Sequence, residues 1–403
     1  MALMPVAEAL ARVLAGAGPL PAEPAPLTEA HGRVLAADIA ALRTQPPADV
    51  SAMDGYAVRS ADVAQVPIKL RLVGEVAAGH PFEGTVGPGE AARIFTGGVL
   101  PPGTDAVVIQ ENTAREGDTV IVTASAGKGK HVRIEGLDFK RGAVLLAKGR
   151  CLSDRDLALA AAMNHPRVPV HRRAKVAVLA TGDELIMPGA APRVGEIVYS
   201  NGYATMALAR REGCDVVDLG IVPDRLAETA AAVRRGRDIG ADILVTSGGA
   251  SVGDYDLVQK ALAAEGLALS FWKVALRPGR PMMHGRLGAM HVLGLPGNPV
   301  SAYVCGVLFL IPLIRRLGGH GDVEPVLETA RLGCALPPND ERADYLRATS
   351  APGIDGVPVV TPAPVQDSSM LVPLARADCL VVRAPYAAAV NAGDTCSIIR
   401  LPI

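Results

Sequence analysis

The chain has 403 residues, of which 49% are hydrophobic, 20% are charged and only 3% are aromatic. This size suggests roughly two to four domains, whose cores depend mainly on Ala, Val and Leu. The formal net charge of −1 argues against a nucleic-acid-binding protein, which usually carries a basic face.

The N-terminal stretch predicts an amphipathic helix rather than a signal peptide, because it carries Glu8 and lacks a basic start. The scattered cysteines contain no C-x-x-C pair and fit thiols in a reducing compartment, so we expect a cytoplasmic protein. The most apolar run, residues 300–314, is shorter than the ~20 residues of a membrane span and contains Pro312. It predicts a buried helix and no membrane association.

The first third of the chain predicts short β-strands, because β-branched runs alternate with Gly, Pro and Asp. After Arg150, Ser153 and Asp156 have the spacing of a capping box at a helix start. Strands then alternate with helices over about residues 172–318, which predicts a parallel sheet with helices on both faces. From about Gly321 short strands return and predict a small all-β domain.

Three glycine-rich loops each follow a predicted strand of the α/β segment: TGDEL, TSGGASVGDYD and GLPGNP. Each loop alone could be a simple turn, but ligands bind at this edge of open α/β sheets. Bare glycines let a ligand approach the backbone closely. The candidate substrate-binding residues in these loops are Thr181, Gly182, Ser247, Gly248, Gly249, Ser251, Gly297, Asn298 and Pro299.

Two helix starts are predicted to face the same edge. One lies near residues 253–256, and in the other Asn298 suits the N-cap and Pro299 the first helical position. Free N–H groups at helix starts favour anions, so the pair suggests a ligand with phosphate-like groups. No Walker A motif is present in the sequence.

Carboxylates gather at this edge, and their meaning is open at this point. The set consists of Asp183, Glu184, Asp224, Asp254 and Asp256. Asp183, Asp224 and Asp254 could each be a helix cap or a surface charge. Beside a phosphate site, such a cluster could instead hold Mg²⁺, which takes one or two carboxylates together with substrate oxygens.

Arg277 and Arg280 in the RPGRP stretch could bind a tetrahedral oxyanion, or they could be two solvated side chains of a loop. Outside the α/β segment, Asp54 lies in SAMDGYA and Thr96 in FTGGVLPPGTDAVV. Each of these two stretches, taken alone, fits an ordinary turn.

Together the motifs resemble the MoeA family of molybdopterin molybdenumtransferases, whose animal relative is the E domain of gephyrin. Order and spacing agree for SAMDGYA, FTGGVLPPGTDAVV, VLATGDEL, TSGGASVGDYD, FWKVALRPGRP and GLPGNPVSA, and the resemblance covers about residues 6–403. It implies a multidomain α/β plus β fold. The implied parts are a MogA-like parallel α/β molybdopterin-binding domain (1–24 and 172–320), an inserted β-rich domain (44–135), an elongated connecting domain (25–43 and 136–171) and a C-terminal β-barrel (321–403).

The resemblance also implies an activity: molybdenum from molybdate is inserted into adenylyl-molybdopterin with release of AMP, the final step of molybdenum cofactor biosynthesis. Matched motif by motif, the family's catalytic carboxylates fall on Asp54, Asp138, Glu184, Asp224 and Asp256. Thr96, Pro296 and Pro299 fall on further active-site positions. Mg²⁺ is the expected cofactor, with Glu184 and Asp256 as its ligands.

A homodimer is implied as well, and the upstream adenylyltransferase and molybdoenzyme acceptors are candidate partners. The sequence departs from the family at several positions. Arg277 and Arg280 replace lysines, Leu137 replaces an acid, and Gly202 stands where Arg is common. Two other functions stay open: a molybdopterin adenylyltransferase, which lacks the surrounding β domains, and a non-catalytic scaffold of the gephyrin kind.

Overall fold

The computed structural model describes residues 3–248, 257–354 and 356–402. The chain clusters into two bodies. The first body consists of Met1–Glu23, Gly32–Ala36 and Val170–Ile403, and the second consists of Pro24–His31 and Ala37–Pro169.

Helices and strands are numbered here in chain order over the described residues. The α-helices are α1 (Val6–Leu14), α2 (Asp154–Ala162), α3 (Asn201–Arg211), α4 (Leu226–Asp238), α5 (Leu257–Ala264), α6 (Pro299–Cys305), α7 (Ile311–Leu317) and α8 (Leu371–Arg376). The strands up to residue 171 are β1 (Ala22–Pro26), β2 (Ile39–Ala40), β3 (Val50–Ser51), β4 (Gly55–Val58), β5 (Ile68–Val76), β6 (Glu90–Ile94), β7 (Ala106–Ile109), β8 (Thr113–Glu116), β9 (Thr119–Val122), β10 (Val132–Arg133), β11 (Val144–Leu146) and β12 (Arg167–His171). The later strands are β13 (Lys175–Thr181), β14 (Leu185–Ile186), β15 (Ile197–Val198), β16 (Asp215–Val222), β17 (Ile243–Ser247), β18 (Ala268–Trp272), β19 (Leu276–Arg277), β20 (Met283–Leu287), β21 (Met290–Leu295), β22 (Glu328–Leu332), β23 (Ala343–Ala351), β24 (Val359–Pro362), β25 (Cys379–Arg383) and β26 (Thr395–Arg400).

The main sheet of the first body has the strand order β16-β13-β17-β21-β20-β18. The neighbours β16, β13, β17 and β21 are parallel, as the alternation of strands and helices predicted. At the other edge, β20 and β18 run antiparallel to their neighbours. For β20 and β21 the reason is the tight turn at Gly288, which joins the two strands directly without the crossover helix that a parallel pair needs.

Helices cover both faces of this sheet, which confirms the predicted arrangement. Because side chains alternate along a strand, Val176 and Val178 of β13 pack in one core with α1, α3, α6 and α7. Ala177 and Leu179 pack in the other core with α4 and α5.

The most apolar helix is a continuous run over residues 299–317, in which a π-helical turn (Gly306–Leu310) links α6 to α7. By length and composition alone this helix could cross a membrane, yet 83% of its most apolar window is buried inside the protein. It shares the core with Val13 and Val176, so the predicted buried helix is confirmed.

The C-terminal strands form a closed barrel. Their order is β23-β24-β22-β26-β25, and β25 pairs back onto β23. Leu332, Val360, Val381 and Ile398 fill its core. The predicted barrel is therefore confirmed, with one addition: the segment is not purely β, because α8 lies beside α6 and β23.

The second body contains a sheet of strand order β7-β4-β6-β5-β9-β8, together with the pairs β10–β3 and β11–β2. The capping box of α2 is confirmed, since Ser153 and Asp156 each accept a hydrogen bond from the backbone N–H of the other. This single body holds most of the predicted connecting domain and the predicted β-rich domain. The boundary between these two domains stays a prediction.

Candidate active site

The three glycine-rich loops begin side by side at one edge of the main sheet. β13 ends at Thr181, β17 at Ser247 and β21 at Leu295. The strand register places Ala180 opposite Ser247, and Ser247 opposite Leu295. The sheet thus brings the three motifs to the edge where parallel α/β proteins bind ligands, as the sequence predicted.

A cavity of about 440 Å³ opens at this edge. Several predicted substrate-binding or catalytic residues line it: Thr181, Glu184, Ser247, Gly248, Gly297, Asn298 and Pro299. Two further predicted residues are buried next to lining residues in the chain. Pro296 precedes Gly297, and Gly182 follows Thr181. A volume of this size is within the usual range of small-molecule sites.

Other walls of the cavity were missed by the sequence analysis. They consist of Leu185, Ile197, Val198, Tyr199, Ser200, Asn201, Ser369 and Leu371. Leu185, Ile197 and Val198 belong to the short parallel pair β14–β15. Leu371 is the first residue of α8, and Ser369 lies in the turn before it. Asn201 at the start of α3 donates its Nδ2 hydrogen to the Gly297 carbonyl at 2.7 Å, a contact that joins α3 to the GLPGNP loop.

Two glycines lie at or beside the cavity: Gly248 lines it, and Gly182 precedes its wall residue Glu184 in the chain. Gly248 has φ +92°, and a Cβ there would lie 2.5 Å from the Thr181 carbonyl oxygen. Gly182 has φ +149°, and a Cβ there would lie 2.5 Å from Glu184 Oε2. Both backbone conformations favour glycine. At residue 248 a side chain would also clash with backbone, whereas at residue 182 it would displace the exposed Glu184 carboxylate.

Polar groups at the cavity are left for a ligand. Thr181 is 2% exposed, and its Oγ1 is buried with no hydrogen-bond partner among the described residues. Since buried polar atoms are almost always hydrogen-bonded, a ligand in the cavity would satisfy this hydroxyl. Glu184 is exposed at the same edge, and its carbonyl accepts a hydrogen bond from Ile197 N at 2.7 Å.

The start of α6 differs from the prediction in one detail. Asn298 is at the N-cap and Pro299 follows it in the first turn, as expected. The Asn298 side chain does not cap the helix, however; its Nδ2 donates to Ser368 Oγ at 2.8 Å. The N–H of Val300, in the first turn of α6, donates to the Ser368 carbonyl at 3.1 Å. A residue of the C-terminal segment therefore already accepts one of the hydrogen bonds that this helix start could offer to an anion.

Asp183 and Asp224 contact each other's loops rather than the cavity. Asp183 Oδ1 accepts a hydrogen bond from Asp224 N at 3.1 Å, just before α4 begins. Asp183 therefore has the structural role that was left open for it. Asp224 is exposed, and its predicted catalytic role stays a prediction.

The two arginines of RPGRP have different surroundings. Arg277 forms ion pairs with Asp340 and, at 3.6 Å from its Nε, with Asp344 of the barrel segment. Arg280 is exposed, and its guanidinium has no ion-pair partner in the described part of the chain. Of these two arginines, Arg280 is the one whose charge no described carboxylate compensates, so it is available to a bound anion.

Asp54, Thr96 and Asp138 belong to the second body. Asp54 Oδ1 accepts hydrogen bonds from Thr96 N and Thr96 Oγ1, both at 2.7 Å. These bonds, with the nearby charge of Arg93, lower the pKa of Asp54 below its usual value. Two predicted residues, separated in sequence, thus form one anionic group. Asp138 is exposed on the turn before Phe139.

Some predictions fall on residues that the structure does not describe. Gly249, Ser251, Asp254 and Asp256 lie outside the described residues, as does the predicted helix start near residues 253–256. Over the described ranges, no group of three or more His, Cys, Asp or Glu side chains could hold a metal ion.

Comparisons with known proteins cover nearly the entire chain. Family models match residues 4–164 as "MoeA N-terminal region (domain I and II)", residues 177–316 as "Probable molybdopterin binding domain" and residues 329–401 as "MoeA C-terminal region (domain IV)". A molybdopterin molybdenumtransferase of Nostoc sp. is 37% identical over 386 residues, which is 94% of this chain and 88% of the relative. The chain belongs to the MoeA family of molybdopterin molybdenumtransferases.

Two further relatives agree with this assignment. The Haemophilus influenzae molybdopterin molybdenumtransferase is 36% identical over 92% of each chain. The crystal structure of the MoeA molybdopterin biosynthesis protein from Pyrococcus horikosii has a TM-score of 0.85 and 29% sequence identity, and it covers 99% of both chains. The resemblance seen in the sequence motifs is thereby confirmed.

One departure from the family now has a structural explanation. At Gly202, where this MoeA chain lacks the common Arg, a Cβ would lie only 1.5 Å from the Tyr199 hydroxyl oxygen. Tyr199 is 2% exposed, and burial raises the pKa of its hydroxyl to about 12. A neutral, buried Tyr199 therefore occupies the space that a side chain at position 202 would need. Leu137, another of the four departures, is 59% exposed.

Proposed function

We propose that this protein inserts molybdenum from molybdate into adenylyl-molybdopterin and releases AMP. The observation that carries the proposal is the cavity at the ends of β13, β17 and β21, where residues of three family motifs meet. Its bare backbone at Gly248 and Gly297 suits the phosphates of a nucleotide. Thr181 and Ser247 add hydroxyls for orientation.

Molybdate and the dithiolene of the pterin must be held together for oxygen to be exchanged for sulfur on the metal. This is a task of positioning and charge complementarity. Arg280 is the exposed cation of the motif that precedes β20, and we propose that it binds the molybdate oxyanion. Arg277 holds the barrel carboxylates Asp340 and Asp344 and serves this site indirectly.

We propose Mg²⁺ as the cofactor, bound by Glu184 and Asp256. The chemistry of the described ligand fits a hard cation, because the Glu184 carboxylate is exposed and Gly182 leaves it the space to fold back over the end of β13. When bound, the ion would neutralise charge on the phosphoanhydride. The protein residues orient the anhydride for attack by water, which adds its hydroxyl to one phosphate and its proton to the other.

We also propose a homodimer in which Asp54 and Thr96 of one copy act with the cavity of the other, as the family resemblance implies. A symmetric dimer would provide two equivalent sites. The upstream adenylyltransferase and molybdoenzyme acceptors are proposed partners. A cytoplasmic location is proposed because no disulfide joins the scattered cysteines, all of which are described.

The test is release of AMP from adenylyl-molybdopterin by purified protein with molybdate and Mg²⁺. Glu184→Gln should abolish release while the protein stays folded, and EDTA should inhibit the wild type. The control is Glu196→Gln, because the Glu196 carboxylate belongs to the same loop but accepts a hydrogen bond from Arg193 N and does not line the cavity. Full activity of Glu184→Gln, or of the wild type in EDTA, would refute the metal assignment.

A further inference from the structure

Arg347 on β23 is among the largest fully buried side chains of the described protein, with 1% exposure. Its guanidinium is not paired with a carboxylate in the described structure. Nε donates to Gln366 Oε1 at 3.2 Å, and the two terminal nitrogens donate to the carbonyls of Met370 and Val365 at 3.1 and 3.4 Å. Burial lowers the pKa of Arg347 below its usual value. Burying a charged side chain costs free energy, so the burial of Arg347 needs an explanation.

Arg347 and Gln366 bind each other reciprocally, and we call this pair the clasp. Arg347 N donates to Gln366 Oε1 at 3.1 Å, and Gln366 Nε2 donates back to the Arg347 carbonyl at 3.0 Å. The same amide donates to the Ala363 carbonyl at 2.9 Å. The clasp thereby fixes both the start and the end of residues 363–370, a stretch that is largely irregular.

This stretch reaches the cavity. Ser368 accepts the hydrogen bonds from Asn298 Nδ2 and from Val300 N that were described above. Asp367 Oδ1 accepts hydrogen bonds from Ser369 N at 2.8 Å and from Ser369 Oγ at 2.6 Å, and these bonds fix the position of Ser369. Ser369 and Leu371 then form part of the cavity wall, opposite the start of α6.

We propose that Arg347 is a positioning residue for the cavity: through Gln366 and the carbonyls of 365 and 370, it holds the barrel's Ser368–Leu371 wall against the start of α6. This inference rests on the proposed function for its consequence in catalysis, but the docking itself is a property of the free protein. Arg347 is not among the residues that line the cavity at the sheet edge, so it acts on that cavity only through the residues that it holds.

The planar guanidinium suits this task because it offers donors in several fixed directions, whereas a lysine ammonium binds as a point charge. Small displacements matter at such a wall, since a misplacement of about 1 Å can cost about 100-fold in rate. Arg347→Lys should therefore keep the charge but loosen the wall. Gln366→Leu should do the same from the other side of the clasp.

The experiment compares Arg347→Lys and Gln366→Leu with Arg400→Met as the matched control. Arg400 is also a barrel arginine, which binds Glu328 and Ser350 Oγ and contacts no residue of the clasped stretch. The first readout is hydrogen exchange of the Val300 amide, whose described acceptor is the Ser368 carbonyl. The second readout is steady-state kinetics, in which KM for adenylyl-molybdopterin and kcat are measured separately for each variant. Barrel stability is measured in all variants by urea unfolding.

We expect Val300 exchange to become at least about tenfold faster in both clasp variants, with KM raised about tenfold and kcat changed less. Arg400→Met should lose barrel stability without either effect. Val300 exchange that stays at the wild-type rate in both clasp variants would overturn the inference, because Arg347 would then only stabilise the barrel. A wild type without AMP release would contradict the proposed function instead, and the exchange result would still decide whether the clasp holds the wall.

Discussion

The carboxylate of Glu184 occupies the space in which a side chain at residue 182 would lie. Gly182 has φ +149°, and a Cβ built there meets all three outer atoms of the Glu184 carboxylate within 2.8 Å. The backbone conformation favours glycine at this position, and a larger residue would displace the exposed Glu184 carboxylate from its present position. The residue at position 182 therefore influences where the carboxylate of Glu184, the proposed Mg²⁺ ligand, can lie.

Gly182→Ala should abolish AMP release by displacing Glu184. The matched control is Gly189→Ala, because Gly189 also has a positive φ of +96° but has no atom within 4 Å of a built Cβ. Both substitutions should cost about 1–3 kcal/mol of stability through backbone strain, measured by urea unfolding. Equal activities of the two variants would show that the position of Glu184 does not matter for the reaction.

Arg280→Ala should raise KM for molybdate more than KM for adenylyl-molybdopterin, because its exposed guanidinium is the free cation of this motif among the described residues. Tungstate should compete, since it has the same shape and charge as molybdate. Arg277→Ala serves as the comparison: it breaks ion pairs with Asp340 and Asp344 and should mainly lower stability. If Arg280→Ala weakens both substrates equally, the arginine serves the nucleotide phosphates instead.

Two histidines are buried together in the main sheet, outside the cavity. His284 Nε2 and His291 Nδ1 are 3.3 Å apart, and each residue is 2% exposed. Burial lowers the pKa of both to about 4, and the charge of Arg286 adds to this effect. For His291, Asp242 acts in the opposite direction and raises the pKa.

The pair should make the protein less stable in mild acid. Between about pH 6.5, where an unfolded histidine protonates, and pH 4, where the folded pair does, the unfolded chain binds more protons than the folded one. Stability must therefore fall as pH falls through this window, with a slope of about 1.4 kcal/mol per pH unit for each histidine. Urea unfolding of wild type and His284→Phe from pH 7 to pH 4.5 measures it. The variant should show a flatter profile, and identical profiles would contradict the assignment.

A shared active site predicts complementation between two inactive variants. Asp54→Asn and Asp256→Asn should each be inactive as homodimers. A heterodimer would hold one site with both lesions and one with neither, because a symmetric dimer has two equivalent sites. Activity after subunit exchange should then recover towards half of the wild-type value in that species. A monomer by light scattering, or no recovery in heterodimers that have formed, would leave Asp54 as a turn residue held by Thr96.

Much of this architecture could be predicted from local sequence patterns. The spacing of Ser153 and Asp156 predicted a capping box, and the glycine-rich loops predicted one edge of the sheet, because both depend on neighbours in the sequence. The antiparallel pairing of β20 with β21 was harder, since strand direction depends on the connection, and the turn at Gly288 decides it.

The far wall of the cavity could not be predicted in this way. Ser369 follows a stretch whose position depends on the buried Arg347, and nothing in the local sequence distinguishes Arg347 from a surface arginine. Tyr199 and Gly202 are only three residues apart, yet their contact could not be predicted either. Their fit is a contact between a strand end and a helix start, so only the folded chain explains why residue 202 is glycine.

The most direct test of the central claim is to measure both products of a single reaction. Wild-type protein is mixed with adenylyl-molybdopterin, Mg²⁺ and radiolabelled molybdate, and AMP and pterin-bound molybdenum are quantified over time. We expect AMP and pterin-bound molybdenum to appear together in a one-to-one ratio, and both to be lost in Glu184→Gln. AMP released without pterin-bound molybdenum, or neither product from the folded wild-type protein, would contradict it.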